Sequence, residues 1–198
     1  MKIVLLDRAT LGFDIDIEVF KSLGEFVSYD VTFLNQVQQR LQDADIVITN
    51  KVVITKETMM KCNLKLICIS ATGKNNVDLE YAANNNIEVK NVAGYSSSSV
   101  AQLAFSMIFH FVSKLSYYKK YVDEGKWQKS AIFTHINEPF YELDGKRVGV
   151  IGLGDIGKNF AKKVDAFGAE VVYFSTSGKN SNSDYKRIEL DELLETSD

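Results

Sequence analysis

The chain has 198 residues, of which 45% are hydrophobic and 25% charged, so its composition is that of an ordinary globular protein. The length allows one large domain or two small ones. A net charge of −3 and a pI near 5.5 give no reason to expect nucleic acid or an anionic membrane as a partner. No apolar run approaches the length of a membrane span, and the chain opens on a strand-like segment instead of a signal peptide. We therefore expect a cytoplasmic protein.

The two cysteines, Cys62 and Cys68, carry little chemical information. They have neither the spacing of a metal site nor that of a disulfide framework. Cys68 lies inside an apolar run and is interpreted as a small core residue. We expect no metal in this chain.

The first half of the chain alternates apolar, strand-like runs with short helical stretches. Strands are predicted at residues 2–7, 26–31, 45–49, 64–70 and 87–91, and helices at 15–23, 34–41, 56–61 and 79–84. Strands that alternate with helices in short units indicate an α/β fold with a parallel sheet covered on both sides.

The apolar positions that follow predict one long helix over residues 96–122, with hydroxyl caps at 96–99. Its apolar side chains cover roughly 240° of the helix circumference, whereas packing on one domain needs little more than 100°. The next segment, residues 125–142, is predicted to be irregular, and its exposed aromatic residues indicate packing on a partner. We expect a homodimer joined through the 96–122 helix and the 125–142 arm.

A G-x-G-x-x-G turn lies between an apolar strand and an amphipathic helix, which is the context of a dinucleotide-binding βαβ unit. In such a unit Gly152 permits the tight turn, Gly154 lets backbone amides approach a pyrophosphate, and Gly157 lets the helix pack closely. The amides of Asp155 and Ile156 would point at phosphate from the helix N-terminus. The alternative is a structural turn that binds no phosphate.

The acidic residue that would bond the adenosine ribose, about 20 residues further on, is replaced by Ser175. The loop continues with Thr176 and Lys179, and a hydroxyl-rich loop with a lysine could seat a 2′-phosphate that an aspartate would repel. This favours NADP over NAD, whereas a solvated loop would tolerate either cofactor.

The second half of the chain contains only two predicted strands, around Val148 and Val172. A dinucleotide-binding half normally has three parallel strands, and the full fold has about six. An apolar sheet edge with unpaired backbone groups would remain exposed. We therefore expect the chain to be part of a larger protein.

Several segments together resemble the D-isomer-specific 2-hydroxyacid dehydrogenases, in an order that covers essentially the whole chain. They are residues 64–67 leading to 72–73, 76–79, 91–96 with 99–101, 143–146 before the glycine turn, and 167–168 after it. Residues 49–52 are similar to the glycerate dehydrogenase and hydroxypyruvate reductase branch.

The resemblance implies a flavodoxin-like substrate domain at residues 1–93, lacking its C-terminal completion, and a truncated Rossmann NAD(P)-binding domain at 94–198. It implies reduction of a small 2-oxoacid, such as glyoxylate or hydroxypyruvate, by hydride transfer from NAD or NADP in its reduced form. The backbone amides of Thr72 and Gly73 would hold the substrate carboxylate.

Two further site residues follow from the resemblance. Lys51 would face the cleft between the domains and attract the anionic substrate, although a solvated loop lysine is an equal alternative. Val100 would line the nicotinamide pocket and exclude water from the hydride path, which is compatible with plain core packing.

The family's catalytic arginine, glutamate and histidine are expected beyond Asp198, so no catalytic residue is assigned within this chain. His110, on the polar edge of the long helix, and His135, in the arm, do not match the position of the family's acid. A non-catalytic dinucleotide-binding sensor or scaffold on the same fold is the alternative function. A phosphoacceptor domain around Asp7 is less favoured, because no second acidic residue lies beside it.

Overall fold

The computed structural model describes residues 1–181 and 184–198, and its contacts divide the chain into two compact units, residues 1–95 and 96–198. Each unit holds one parallel sheet with helices beside it. The predicted α/β class is therefore confirmed. None of the helices in the described ranges combines the length and the apolar composition of a membrane span.

The first unit is a five-stranded sheet in the order β2-β1-β3-β4-β5, with every neighbouring pair parallel. This is the strand order of flavodoxin-like folds. Its strands are β1 (Lys2–Leu5), β2 (Glu25–Ser28), β3 (Ile46–Thr49), β4 (Leu66–Ile69) and β5 (Glu88–Asn91), and its helices are α1 (Leu34–Leu41), α2 (Lys56–Met60) and α3 (Leu79–Asn84).

The core of this unit forms because the central strands are apolar on both faces, as expected for a parallel sheet between helices. Val4, Val47 and Ile67, from three adjacent strands, are at most 1% exposed. The helices begin where side chains cap them. The Thr55 hydroxyl accepts the amide of Thr58 at the start of α2, and α3 begins in the same way at Asp78.

The helix predicted at 15–23 is shorter than expected and of the 3-10 type, because it covers only Glu18–Leu23 and buries no residue. A second 3-10 turn covers Arg8–Thr10. The Asp16 carboxylate accepts the amide of Glu18 at 2.9 Å, and such a local bond competes with α-helical pairing.

The second unit is a three-stranded parallel sheet in the order β6-β7-β8, the arrangement of one mononucleotide-binding half. Its strands are β6 (Arg147–Ile151), β7 (Glu170–Phe174) and β8 (Lys186–Arg187), and its helices are α4 (Ser97–Val112), α5 (Leu115–Asp123), α6 (Asp155–Asp165) and α7 (Leu190–Thr196).

The expectation of only two strands in this half is therefore wrong. The third strand, β8, has two residues, and both are charged and exposed, so no apolar run marks it in the sequence. Its register is set by backbone pairing with β7, and the next residue, Ile188, is 6% exposed.

The single helix predicted over 96–122 is also wrong, because it is broken into α4 and α5 at Lys114, which has a left-handed φ of 50°. The apolar spacing continues through the break and so does not reveal it. The predicted hydroxyl cap is absent as well, since the Ser96 side chain makes no cap bond and the Ser99 hydroxyl donates to the Ser96 carbonyl. Residues 125–142 contain no helix or strand, as predicted.

An aromatic cluster joins α4 to the end of α6. The rings of Phe105, Phe109 and Phe167 meet edge to face with centroids 4.8–5.1 Å apart. Beneath them Leu153 and Val164 are fully buried. This packing holds the C-terminal end of α6 against α4, at the end of the helix opposite to the glycine turn.

Candidate functional site

The glycine turn between β6 and α6 is built on two backbone constraints. Gly152 has a φ of 92°, a conformation that side chains other than glycine rarely adopt, and its amide donates to the Phe174 carbonyl at 2.9 Å. A Cβ added at Gly157 would lie 2.2 Å from the Gly152 carbonyl oxygen. Both positions therefore require glycine for the turn and for the close approach of helix to strand.

Gly154, the middle glycine of the motif, faces open space. A Cβ at Gly154 would meet no atom within 4 Å, and Gly154 is the N-cap residue of α6, where it offers no side chain to the helix. The first amides of a helix have no intrahelical acceptor, so those of Asp155 and Ile156 can receive an anion here. The geometry fits the phosphate cradle that the sequence predicts.

The loop after β7 lies beside this turn. Ser175 is only 3% exposed, and its hydroxyl has no hydrogen-bond partner in the described part of the chain. The Thr176 hydroxyl oxygen is 3.8 Å from the point where a Cβ of Gly152 would be. Thr176 and Lys179 are exposed, so they, and not Ser175, are the surface groups of this loop.

Val100 lies in the first turn of α4, where its amide donates to the Ser96 carbonyl at 2.9 Å. Its side chain is 41% exposed. Plain core packing within this unit does not account for that exposure. A role in lining a nicotinamide pocket stays a prediction.

In the first unit, the topological switch point lies between β1 and β3, because β2 is added on one side of β1 and β3 on the other, so the strand order reverses there. Ligands of open α/β sheets bind outside the carboxyl ends of the strands at such a point. Asp7 follows β1 there, and Lys51 follows β3. Lys51 is exposed, and its ammonium makes no hydrogen bond or ion pair with any described residue.

The segment after β4 offers backbone donors at the same edge. The Thr72 carbonyl accepts the Asn91 side-chain amide, and the Thr72 hydroxyl donates to the Val92 carbonyl at 3.2 Å. The amides of Thr72 and Gly73 bond to no described residue, and both residues are exposed. Two backbone donors on an anchored loop can hold a carboxylate.

Asp7 is not among the site residues predicted from the sequence. The signal available was an aspartate directly after a buried strand, where apolar residues are expected to end. The structure shows the carboxylate bonded to the segment that follows β3, including the Lys51 amide at 2.8 Å.

The histidines and cysteines lie in other surroundings. His135 stacks on Tyr121 with ring centroids 3.7 Å apart, and its Nε2 lies 2.7 Å from the Tyr117 hydroxyl. Burial raises the pKa of both thiols, and Glu88 raises that of Cys68 further, so neither is primed as a thiolate. Residues 1–181 and 184–198 contain no cluster of three or more His, Cys, Asp or Glu that could hold a metal.

Comparison with known proteins places this geometry in a family. Residues 105–198 match the D-isomer specific 2-hydroxyacid dehydrogenase, NAD binding domain. The chain belongs to the D-isomer-specific 2-hydroxyacid dehydrogenases. The family suggested by the sequence is thus confirmed, and with it the nicotinamide dinucleotide class of cofactor, NAD or NADP.

Individual relatives of this chain belong to the same family. It is 37% identical to a hydroxypyruvate reductase of Blautia hydrogenotrophica over 100% of this chain and 64% of that protein. It is 32% identical to a glycerate dehydrogenase of Methylorubrum extorquens over 94% of the chain and 60% of that protein. The chain thus spans less than two thirds of the length of these relatives.

Solved structures show the same fold. An acyclic imino acid reductase in complex with NADPH and D-Arg is similar with a TM-score of 0.82 and 27% identity, over 100% of this chain and 63% of that one. A protein from Pyrococcus horikoshii is similar with a TM-score of 0.72 and 27% identity, over 100% of this chain and 60% of the other.

The glycine turn generates a paired prediction. Gly154→Ala should fold normally, because its Cβ enters open space, but should weaken NADH or NADPH binding about 10-fold by keeping phosphate from the amides. Gly157→Ala should lose both binding and thermal stability, because its Cβ meets a backbone carbonyl. Isothermal titration and thermal unfolding measure the two effects. Unchanged binding in Gly154→Ala would contradict the phosphate cradle.

Proposed function

We propose that this chain belongs to an NAD(P)-dependent oxidoreductase that reduces small 2-oxoacids, such as glyoxylate or hydroxypyruvate, to D-2-hydroxyacids. The observation that carries the proposal is the glycine turn, with its positive φ at Gly152 and open amides at the start of α6. Residues 94–198 would hold the cofactor, and residues 1–93 would hold the substrate. The names of the relatives, hydroxypyruvate reductase and glycerate dehydrogenase, support this substrate class.

The substrate carboxylate would be held at the carboxyl edge of the first sheet. The unbonded amides of Thr72 and Gly73 would donate hydrogen bonds to it, and the unpaired Lys51 ammonium would attract it. Val100 would exclude water around the nicotinamide, which supplies the hydride when bound. The arginine, glutamate and histidine implied by the resemblance stay a prediction for sequence beyond Asp198.

A non-catalytic dinucleotide-binding protein is the second candidate. The glycine turn supports this candidate equally, because it can bind a cofactor whether or not a substrate is turned over. Such a protein would bind the cofactor without turning over a 2-oxoacid.

Turnover by the full-length gene product separates the two candidates. We expect oxidation of NADH or NADPH when glyoxylate or hydroxypyruvate is added, followed at 340 nm. Tight cofactor binding with no turnover of either acid would support the non-catalytic protein instead. The absence of cofactor binding would contradict both.

We further propose that the enzyme prefers NADP. Residues 175–181, directly after β7, contain no acidic side chain, and Thr176 and Lys179 are exposed groups of this loop that suit a 2′-phosphate. We also propose that the protein is located in the cytoplasm, because Cys62 and Cys68 are free thiols and a reducing compartment keeps thiols in that form.

The proposed preference for NADP predicts that a negative charge at position 175 changes the cofactor specificity. Ser175→Asp should shift the ratio of kcat/KM for NADP to that for NAD by about 10-fold or more toward NAD, because a carboxylate repels the 2′-phosphate and accepts ribose hydroxyls. Ser175→Asn is the matched control, since it has the same size without the charge. An equal shift in both variants would indicate that crowding at this buried position, and not charge, is responsible.

We also propose that the protein is a homodimer. One face of α4 is apolar and exposed in the single chain, with Leu103, Met107 and Phe111 at 57%, 54% and 71%. Their spacing of four residues places them in one stripe. Phe133 and Ile136 of the arm are exposed still further. An apolar surface of this kind is typical of a subunit interface.

The dimer proposal predicts that Phe111→Asp shifts the protein toward monomer in sedimentation velocity. Phe13→Asp is the matched control, because Phe13 is 98% exposed and lies in the first unit, away from α4 in the chain. We expect the control to sediment like the unchanged protein. Dimers of unchanged affinity in Phe111→Asp would contradict the proposed interface.

A further inference from the structure

The Asp7 side chain is the only Asp, Glu, Lys or Arg that is buried in the described part of the chain, with 4% exposed. It makes no ion pair with any residue in that part. A carboxylate removed from water is costly unless hydrogen bonds replace its hydration. Its burial therefore has to be explained by its hydrogen bonds.

All of these bonds come from one segment, the four residues 49–52. The Asn50 amide lies 2.9 Å from each carboxylate oxygen, and the Lys51 amide donates to Oδ2 at 2.8 Å. The Val52 amide at 3.4 Å and the Thr49 hydroxyl at 3.3 Å complete the set. Successive backbone amides that converge in this way form an anion-binding nest.

The nest is therefore filled from within the protein. Its three amides bind Asp7 and cannot also bind the carboxylate of a substrate. The Lys51 ammonium is the one cationic group of residues 49–52, and it remains available to an external anion, since it has no partner among the described residues. The bond fixes the backbone from which that side chain extends.

The hydrogen bonds between Asp7 and residues 49–52 lie where ligands of such sheets bind. Asp7 ends β1 and residues 49–52 end β3, so the bond spans the topological switch point. Asp7 and Lys51 both line a cavity of about 340 Å³ at this edge, together with Asp30 and Thr32. A loop beside such a crevice must be held still if its lysine is to meet a substrate at a fixed place.

We propose that Asp7 is a positioning residue, which holds the 49–52 loop by its backbone amides and so aims Lys51 at the substrate carboxylate. The role of Lys51 in this statement rests on the proposed function. The role of Asp7 in ordering the loop does not, and the two parts can be tested apart.

A matched control lies at the opposite edge of the same sheet. The Asp45 carboxylate accepts the Lys2 amide at 2.8 Å and the Lys65 ammonium at 2.6 Å, and it also links β1 to β3. Asp45→Asn makes the same chemical change as Asp7→Asn but at the amino ends of the strands. If the loss of a carboxylate simply destabilised the whole sheet, both variants would show the same faster amide exchange.

Amide hydrogen exchange on this chain tests the ordering of the loop. In Asp7→Asn we expect the amides of residues 50–52 to exchange at least 10-fold faster, because an NH2 group replaces one acceptor oxygen and faces the donors. The Ser70 amide, bonded to the Thr49 carbonyl at 2.9 Å, should stay protected. Unchanged exchange at 50–52, or the same acceleration in Asp45→Asn, would overturn the proposal.

Thr49→Val provides a second variant if Asp7→Asn does not fold. It keeps the side-chain shape but removes the hydroxyl that donates to Asp7 and accepts the Val52 amide at 3.1 Å. We expect faster exchange at Val52 with the amides of Asn50 and Lys51 less affected. Equal acceleration at Asn50 and Lys51 would overturn the proposal, because these amides would then depend on Thr49 and not on Asp7.

Steady-state kinetics of the full-length enzyme test the link to Lys51. Asp7→Asn should raise the KM for glyoxylate about 10-fold while the KM for the cofactor is unchanged, as should Lys51→Met. The double variant should be no worse than Lys51→Met alone, because both changes remove one interaction. Additive effects would overturn the link. An unmodified enzyme with no turnover would refute the proposed function, and hydrogen exchange would still decide the role of Asp7.

Discussion

The second unit depends on the contact between the first turn of α6 and the end of β6. A hydrogen atom is the only substituent at Gly157 that leaves room for the Gly152 carbonyl, which lies 2.2 Å from the Cβ position. Because helix and strand meet this closely, the amides at the start of α6 lie at the carboxyl edge of the sheet. The aromatic cluster holds the opposite end of α6 against α4.

The two units use backbone amides at their sheet edges in opposite ways. In the second unit the amides beside Gly154 face open space and suit a ligand that carries its own charge. In the first unit the amides of residues 50–52 are already satisfied by Asp7. The difference follows from one residue type, since a glycine at the turn leaves the donors free and an aspartate at the end of β1 occupies them.

Much of the fold and of the candidate site could be predicted from the sequence, because the relevant signals are local. The bounds of α1 and α3 agree with those predicted from the apolar spacing. The glycine turn was predictable because the turn itself requires glycine at Gly152 and Gly157. The break at Lys114 and the strand β8 could not be predicted, since one depends on a single backbone angle and the other on pairing with a distant strand. The bonds of Asp7 likewise join residues more than 40 positions apart.

Each sheet is assembled from one continuous half of the chain. Every strand pair of the first sheet lies between Lys2 and Asn91, and every pair of the second lies between Arg147 and Arg187. In the described chain, no strand pairs with a strand from the other half. The first sheet can therefore form on the ribosome while the second half is still being translated, which limits the time that its apolar strands spend unpaired.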